Sequence, residues 1–560
     1  MNYYIDGDFE IPSAIRAPEN MYFTSVYSSQ NSNYIGVNVS SEKQRTINNI
    51  SFDEVVNFYN LNEPIFKKYE HELGINIWFF EHFRLYFLYR TFHLKVSCIK
   101  SFIEKNNNGI VLTSDRRLTK FIDKKNLQFL SHSNTSNKQK SNKMHEVIFL
   151  LKQFKWNHKQ INKNLIISRI EDDFDGYDQR FGKLQTKCDK ILNRDIFNSS
   201  KEIPQKGSNY FNSQNVDSIF IRNLLTLSGV LSLLKFRKGL KNLFKELNAN
   251  QSPEYQNGSI INALFQRNRL SYFVYFLKYK SFCKLFSKTD YNSVLFINEN
   301  SAQQKAIQYA AFENNVKVYA IQHGAIYDLH PAYMYGKYNT PPKLPTITFT
   351  WGNYFTSLLT SNGGYRNDQV KTAGRIERED IKHEQHEALN SNKEIIVYAS
   401  QPQPDKKLRE KELKDVFAAA KALNNRYLLV IRPHPAEKDD SYFTNIANNI
   451  QFNDFIIDRI SDLKTHFESC SILITSYSTV GAEFVPYFKP LLILDYLKTD
   501  LVNYIKQGVG IPIYNKQELI DTLEKDKLSI DNKAFEKFID NYFYKKGEKA
   551  LEIIQNEINL

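Results

Sequence analysis

Cysteine is scarce in this 560-residue chain: the four present, Cys98, Cys188, Cys283 and Cys470, stand far apart. No pair has metal or redox spacing, so buried thiols in a reducing cytoplasm are expected rather than a disulfide framework or a cysteine metal centre. A long apolar run is missing too. The most membrane-like stretch, IWFFEHFRLYFLYRTF at 77–92, is interrupted by Glu81, Arg84 and Arg90 and is too short to span a bilayer, so a buried or partly interfacial aromatic helix is expected. The opening residues MNYYIDGDFEIPSAIR lack a basic region followed by an apolar core, and no secretory leader is expected. Short internal repeats and nucleic-acid motifs are likewise absent.

What is there describes a globular protein: 42% hydrophobic, 24% charged and 14% aromatic residues, over a length that calls for two or three domains. The net charge of +13 (74 basic, 61 acidic) admits an anionic partner, whether a membrane surface, nucleic acid or an acidic glycan. Basic and acidic residues are interspersed, which reads as a solvated surface and not as a nucleic-acid stripe. The acidic run Glu171, Asp172, Asp173 and Asp175 reads as a charged loop, and no metal is placed there.

Hydrophobic patterning sets the layout. Strand signals at 109–115 and 164–169 are followed by a polar stretch at 194–215, a helix at 218–247 and another polar stretch at 247–258. The loop 131–143 has no apolar residue. A regular βαβ pattern then begins, with strand 293–297, helix 302–314 and strand 317–321, followed by strands 346–350 and 370–372. Ala302, Ala306, Ala310 and Ala311 give that helix a small-residue face suited to lying close on a sheet. The charged stretch 376–393 is expected as an interdomain linker. Strands at 394–399, 427–431, 472–474 and 491–494 form a second α/β domain. The expected organisation is therefore an acceptor-side domain at 1–375 with helical insertions, the linker at 376–393, a nucleotide-binding domain at 394–530 and a helical tail at 531–560.

Chemistry concentrates where apolar strands stop. Ile472, Leu473 and Ile474 run into Thr475-Ser476-Tyr477-Ser478-Thr479, and Ser478 or Thr479 reads as the N-cap of a short helix whose free N–H groups face the turn. Such a turn suits an anion, and Glu483 one turn further suits ribose hydroxyls, although an ordinary capped helix leaves the same pattern. Arg432-Pro433-His434-Pro435 ends another buried strand, holding a guanidinium and an imidazole where open sheets bind ligands, as a nucleotide diphosphate or monophosphate requires. Asn298-Glu299-Asn300 and Gln322-His323-Gly324 end consecutive strands, which puts Glu299 and His323 on one sheet edge. Glu299 is the candidate base or anomeric-centre carboxylate, with a solvated loop acid as the alternative, and His323 is either a site residue or a histidine bonded to its own loop. No Asp-x-Asp ends a strand in this half, so metal-independent transfer is expected.

The order QHG, Gly374-Arg375, RPHP and the hydroxyl cluster with Glu483 over 293–495 resembles the two-domain GT-B glycosyltransferases of bacterial surface polysaccharide synthesis. Closest in pattern are capsular transferases using CMP-activated Kdo or sialic-type sugars and the CDP-glycerol glycerophosphotransferases. The resemblance implies an α/β fold of two doubly wound Rossmann-like domains facing across a cleft, with a helix-rich N-terminal elaboration. It implies that Arg432, His434, Ser476, Ser478 and Thr479 bind donor phosphate, that Glu483 faces the ribose and that His323 is the QHG histidine at the cleft floor, with Gln322, Gly324 and Arg375 as further cleft residues; Glu299, from its own position, joins His323 as the catalytic pair expected. Tyr477 stands where the glycerophosphotransferases commonly show Asp, which puts CMP-sugars ahead as donors. The implied enzyme needs no cofactor beyond a nucleotide sugar as co-substrate. It acts in the cytoplasm at the inner face of the membrane, touching anionic lipid peripherally, and takes a glycan or lipid-linked glycan acceptor, with no nucleic acid. A CDP-glycerol-type polyol-phosphate transferase, a nucleotide-sugar epimerase and a non-catalytic glycan-assembly subunit are the competing functions.

Overall fold

The computed structural model describes residues 3–6, 21–24, 35–37, 41–106, 109–130, 160–169, 178, 180–193, 213–215, 227–252, 254–297, 299–324, 326–376, 392–401, 406–434, 437, 439–496, 498, 500, 502–545 and 547–560. The expected loop 131–143, the acidic run at 171–175 and all but the ends of the expected linker lie outside these residues. The chain divides into two compact units, Met1–Arg378 with Lys545–Leu560, and Glu379–Tyr544.

Every described sheet is parallel, as buried all-apolar strand runs require. In the first unit β1 (Tyr3–Asp6), β2 (Met21–Thr24), β3 (Ile35–Val37), β4 (Ile110–Thr113) and β5 (Leu127–Phe129) form a sheet of order β3-β2-β1-β4-β5. A second sheet in the same unit is built from β6 (Asn164–Arg169), β7 (Asp189–Asn193), β8 (Ser213–Asn215), β9 (Ser293–Phe296), β10 (Lys317–Ile321), β11 (Ile347–Thr350) and β12 (Val370–Thr372). Its order is β12-β11-β10-β9-β6-β7-β8. The second unit holds β13 (Glu394–Ala399), β14 (Tyr427–Arg432), β15 (Phe455–Ile457), β16 (Ile472–Thr475), β17 (Leu491–Leu494) and β18 (Ile511–Ile513) in the order β15-β14-β13-β16-β17-β18. Each sheet winds outward one way from its first strand and then the other way from its fourth, the order of a doubly wound sheet. The fold class is thus α/β with Rossmann-like sheets, and the N-terminal elaboration contains a sheet of its own that periodicity does not reveal.

The aromatic stretch forms the helix Trp78–Lys105, and it is buried. Trp78 packs between Phe58 (5.5 Å between ring centroids) and Phe265 (5.4 Å). Glu81, 1% exposed, is tolerated there because Tyr275 Oη and Asn268 Nδ2 each donate to it at 3.0 Å. No helix among the described residues is long and apolar enough to cross a membrane. The expected polar loop at 247–258 is shorter than its composition suggests, since one helix runs to Ala249 and the next begins at Gln256.

The segment 531–560, expected as one tail, splits between the units. Asn532–Tyr542 packs in the second, with Phe535 5.8 Å from Phe488 and Phe538 6.0 Å from Tyr504. Glu548–Ile558 belongs to the first, where Leu551, Ile554 and Ile558 join a core that includes Leu295, Ile297 and Phe349. Gly374 fixes that return: its φ is +105° and a Cβ there would stand 2.3 Å from the Lys545 carbonyl oxygen. Arg375 N donates to the same carbonyl at 2.9 Å and its own carbonyl accepts from Gly547 N at 3.1 Å. Gly374→Ala is therefore expected to destabilise the first unit by more than about 1 kcal/mol, because alanine opposes both the positive φ and the backbone contact. Urea unfolding checks this, and a midpoint equal to wild type would contradict it.

Candidate functional site

Parallel register places the predicted residues at two strand-end edges, one in each unit. In the first unit the order reverses between β6 and β9, and ligands of doubly wound sheets bind beyond the C-terminal ends at such a point. Glu299 follows β9 there. β10 lies beside β9, with Ala320 opposite Phe296, so the loop at 322–324 leaves the sheet next to the Glu299 loop.

Glu299 is 2% exposed. Asn300 Nδ2 donates to its Oε1 at 3.1 Å and Gln308 Nε2 to its backbone carbonyl, while Oε2 makes no hydrogen bond. Burial lifts its pKa to about 7 against the opposing pull of Lys305, the nearby Tyr333 hydroxyl and Asn300. Lys305, also buried, is lowered to about 8 by desolvation, opposed by Glu299, and its Nζ donates to Tyr335 Oη at 3.1 Å. A buried carboxyl and a buried amine thus influence each other with both charges weakened by desolvation, and Glu299 is a group suited to exchanging a proton near neutral pH.

His323 keeps a solvent-open face, while the protein around it, Arg180 and Arg169 depress its pKa, opposed by a hydrogen bond to the Ile297 carbonyl. The ring is therefore neutral at pH 7, with one nitrogen left as an acceptor. Gln322 is a buried brace: its Nε2 donates to the Gly324 carbonyl and its Oε1 accepts from Trp351 N, both at 2.8 Å. Arg375 lies over the Trp351 ring at 5.3 Å, so these two predicted cleft residues meet at one tryptophan, Gln322 at its backbone N–H and Arg375 at its ring. A Cβ at Gly324 would meet nothing within 4 Å, so no steric demand within the chain requires glycine there.

In the second unit the reversal lies between β13 and β16. Ala399 pairs with Arg432 on one side, and Tyr398 with Ile474 on the other, so Ser400 and Gln401 emerge between the Arg432 loop and the hydroxyl cluster. Arg432 is half-buried and its Nη1 donates to the Asp458 carbonyl at 3.1 Å. His434 is exposed at the end of the same loop. Thr475 Oγ1 donates to the Ala399 carbonyl (3.1 Å) and Gln401 Oε1 accepts from Tyr477 N (3.0 Å), which ties the cluster across the reversal.

The expected anion site at a helix N-terminus is not what forms. The helix Val480–Phe484 has five residues, too short for a macrodipole, and its first N–H groups are already used. Val480 N donates to Ser478 Oγ (3.2 Å), Gly481 N to the Ser478 carbonyl (3.1 Å), Ala482 N to Tyr504 Oη (2.8 Å) and Glu483 N to the Thr479 carbonyl (3.3 Å). Thr479 occupies the N-cap position in helical backbone, exposed, with no side-chain cap. Ser476 Oγ donates to Glu412 Oε2 at 2.8 Å, which commits its only proton. Ser478 accepts through Oγ, so its hydroxyl proton remains available to a ligand. Glu483 is half-buried one turn further along. The polar side chains that this edge offers to an anion are thus those of Arg432, His434 and Ser478, the first N–H groups of the short helix being used within the chain.

Four residues escaped the sequence reading. Ser400 and Gln401 follow a buried strand, and the strand-end logic applied elsewhere would have found them. Glu437 and Arg409 carry no such signal, because their partnership with the His434 loop is made by folding. Among the described residues no group of three His, Cys, Asp or Glu is placed to hold a metal ion.

The Glu299 environment predicts a pH dependence of stability. Its folded pKa of about 7 lies above the ordinary 4.5, so the native state holds a proton that the unfolded chain releases between those values. Stability from this group is complete below 4.5 and is lost as pH rises to about 7. Glu299→Gln is expected to flatten the wild-type decline over that window in urea unfolding at several pH values. Parallel profiles for the two proteins would contradict it.

Residues 346–559 match the family of CDP-Glycerol:Poly(glycerophosphate) glycerophosphotransferases. Among curated proteins the chain is similar to the minor teichoic acid biosynthesis protein GgaB of Bacillus subtilis (strain 168), 23% identical over 269 residues, which are 44% of this chain and 29% of GgaB. The match thus spans less than a third of that relative. Among solved structures it is similar to the wall teichoic acid polymerase TagF, at 14% identity over 75% of this chain and 94% of that one, with a TM-score of 0.41. It is also similar to the UDP-GlcNAc 2-epimerase from Neisseria meningitidis bound to UDP-GlcNAc, at 13% identity over 71% and 100%, with a TM-score of 0.42. By its sequence matches the chain resembles the transferases of bacterial cell-surface glycan assembly, and the CDP-glycerol glycerophosphotransferases in particular.

Proposed function

We propose that this chain moves glycerol phosphate from a CDP-activated donor onto a hydroxyl of a growing cell-envelope glycan. The observation that carries the reading is the family match over 346–559, which takes in the whole described second unit and with it Arg432, His434 and Ser478 around the sheet reversal. It supports reading the donor as the CDP-glycerol type rather than the CMP-sugars expected from Tyr477. That residue is held by its backbone N–H to Gln401, so a departure at 477 alters a side chain and leaves the path of the turn intact.

In the reaction the acceptor oxygen attacks the glycerol-bearing phosphorus of the donor, the P–O bond to CMP breaks, and CMP leaves with the electron pair. The acceptor proton is lost to a general base as the new bond forms, and within the first unit Glu299, lifted to about 7 by burial, has the pKa of a base working at neutral pH. Arg432 and His434 take the growing charge on the departing CMP phosphate, and Ser478 donates to the same group. These fixed hydrogen-bond donors serve in place of a divalent cation, so chelators are expected to leave turnover unchanged. Glu483 serves the ribose. A lipid-linked acceptor would hold the enzyme at the inner membrane face. The helix Leu227–Ala249 supports this, with Leu231 and Leu234 exposed beside exposed Lys235, Arg237, Lys238 and Lys241.

Nucleotide release with CDP-glycerol and with CMP-, UDP- and GDP-linked sugars tests the donor. CMP release from CDP-glycerol, dependent on acceptor and insensitive to chelator, is expected. Release from a sugar-linked donor alone contradicts the proposal, and epimerised nucleotide sugar formed without acceptor would establish the epimerase instead. Arg432→Ala and His434→Ala are each expected to lower turnover by roughly a hundredfold without changing the unfolding midpoint. Normal turnover in both contradicts the phosphate assignment. Weak binding to vesicles containing anionic lipid, released by salt, is expected for the membrane contact, and salt-insensitive or absent binding contradicts it.

A further inference from the structure

Behind the His434 loop lies a carboxylate that the reaction does not itself call for. Glu437 is 8% exposed, and its two oxygens accept from three different parts of the second unit. Oε2 takes the backbone N–H of His434 at 2.8 Å, and Glu437 N donates back to the His434 carbonyl at 2.8 Å, which closes a ring between residues 434 and 437. Oε1 takes Ser400 Oγ at 3.1 Å, at the end of β13, and Arg409 Nη2 from the helix Lys406–Ala422. Arg409 is itself held over the Tyr442 ring at 4.0 Å. Ser400 N also donates to the Arg432 carbonyl at 3.0 Å, so both ligand-facing residues of the loop are tied to this network through their backbones.

We propose that Glu437 is a positioning residue that fixes His434, and with it the anion-binding loop after β14, in the geometry needed to receive a departing phosphate. The inference rests on the function proposed above. Two physical points carry it. A buried carboxylate that satisfies a backbone N–H, a hydroxyl and a guanidinium at once has little freedom, and it passes that constraint to the His434 backbone it holds. A bare negative charge behind an anion site would also repel the ligand. Pairing with Arg409 cancels that charge while leaving the carboxylate oxygens in place as acceptors. Glu437 does not touch the substrate in this scheme, and Arg409 acts only through Glu437.

A double-mutant cycle separates positioning from general structural support, because residues acting through one group do not add. Glu437→Ala is expected to lower kcat/KM by roughly a hundredfold, the scale of a misplaced reacting group. In a His434→Ala background the same change is expected to cost less than about threefold, since nothing remains to be positioned. Additive losses, or near-normal turnover in Glu437→Ala alone, overturn the proposal. If wild type releases nucleotide from none of the donors, the proposed function fails, and the clamp is read by NMR of histidine-labelled protein instead. There the His434 ring signal, identified by its loss in His434→Ala, is expected to shift or broaden in Glu437→Gln. The glutamine keeps the side-chain volume but turns an NH2 toward one of the three donors. An unmoved His434 signal overturns the clamp independently of any substrate.

Discussion

Parallel pairing around a reversal in strand order is the constraint on which this structure depends. A parallel sheet brings all its C-terminal ends to one edge, and the reversal leaves a gap there that no crossover covers. β9 and β10 deliver Glu299 and His323 to that edge in the first unit. β13, β14 and β16 deliver Ser400, Arg432 and the hydroxyl cluster in the second. The chemistry-bearing side chains need no long-range recognition of one another, since each only has to follow an apolar strand of the right register.

The second theme is buried charge held in partnership. Glu299 with Lys305, Glu437 with Arg409 and Glu81 with Tyr275 and Asn268 each stand where a lone charge would be costly. The partnerships differ in outcome. Glu437 receives three donors and serves as a rigid strut, whereas Glu299 keeps one oxygen without a hydrogen bond and a pKa near neutrality, which suits a group that exchanges protons. Removing one member of a buried ion pair such as Arg409–Glu437 commonly costs about 3–5 kcal/mol, because the charge left behind is uncompensated.

Much of this was legible in the sequence because buried parallel strands announce themselves as apolar runs. β9, β10, β13, β14, β16 and β17 follow from such runs, whereas β11 (Ile-Thr-Phe-Thr) and β12 (Val-Lys-Thr) were read from mixed segments, and the polar residues after β9, β10, β14 and β16 are the candidate site. The missed strands are short or polar: β1 and β2 have four residues each, β3, β5, β15 and β18 three each, β7 is Asp-Lys-Ile-Leu-Asn and β8 is Ser-Gln-Asn. They are recruited to a sheet by their neighbours, which a local pattern does not encode. The return of Glu548–Ile558 to the first unit was hidden for the same reason, although Gly374 marked the contact in a way that only its φ explains. The hydroxyl cluster does follow a strand end as expected, but the N–H groups expected to face a ligand are consumed by Ser478, Thr479 and Tyr504, and the Tyr504 contact bridges 22 positions.

The central claim is that a glycerol phosphate group, and not a sugar, is what leaves the nucleotide. Mass spectrometry of a defined glycan acceptor after incubation with CDP-glycerol tests it most directly. The account predicts acceptor heavier by glycerol phosphate units, with one CMP appearing for each unit added. Acceptor that gains mass only from a nucleotide sugar, or CMP appearing with no change in acceptor mass, would contradict it.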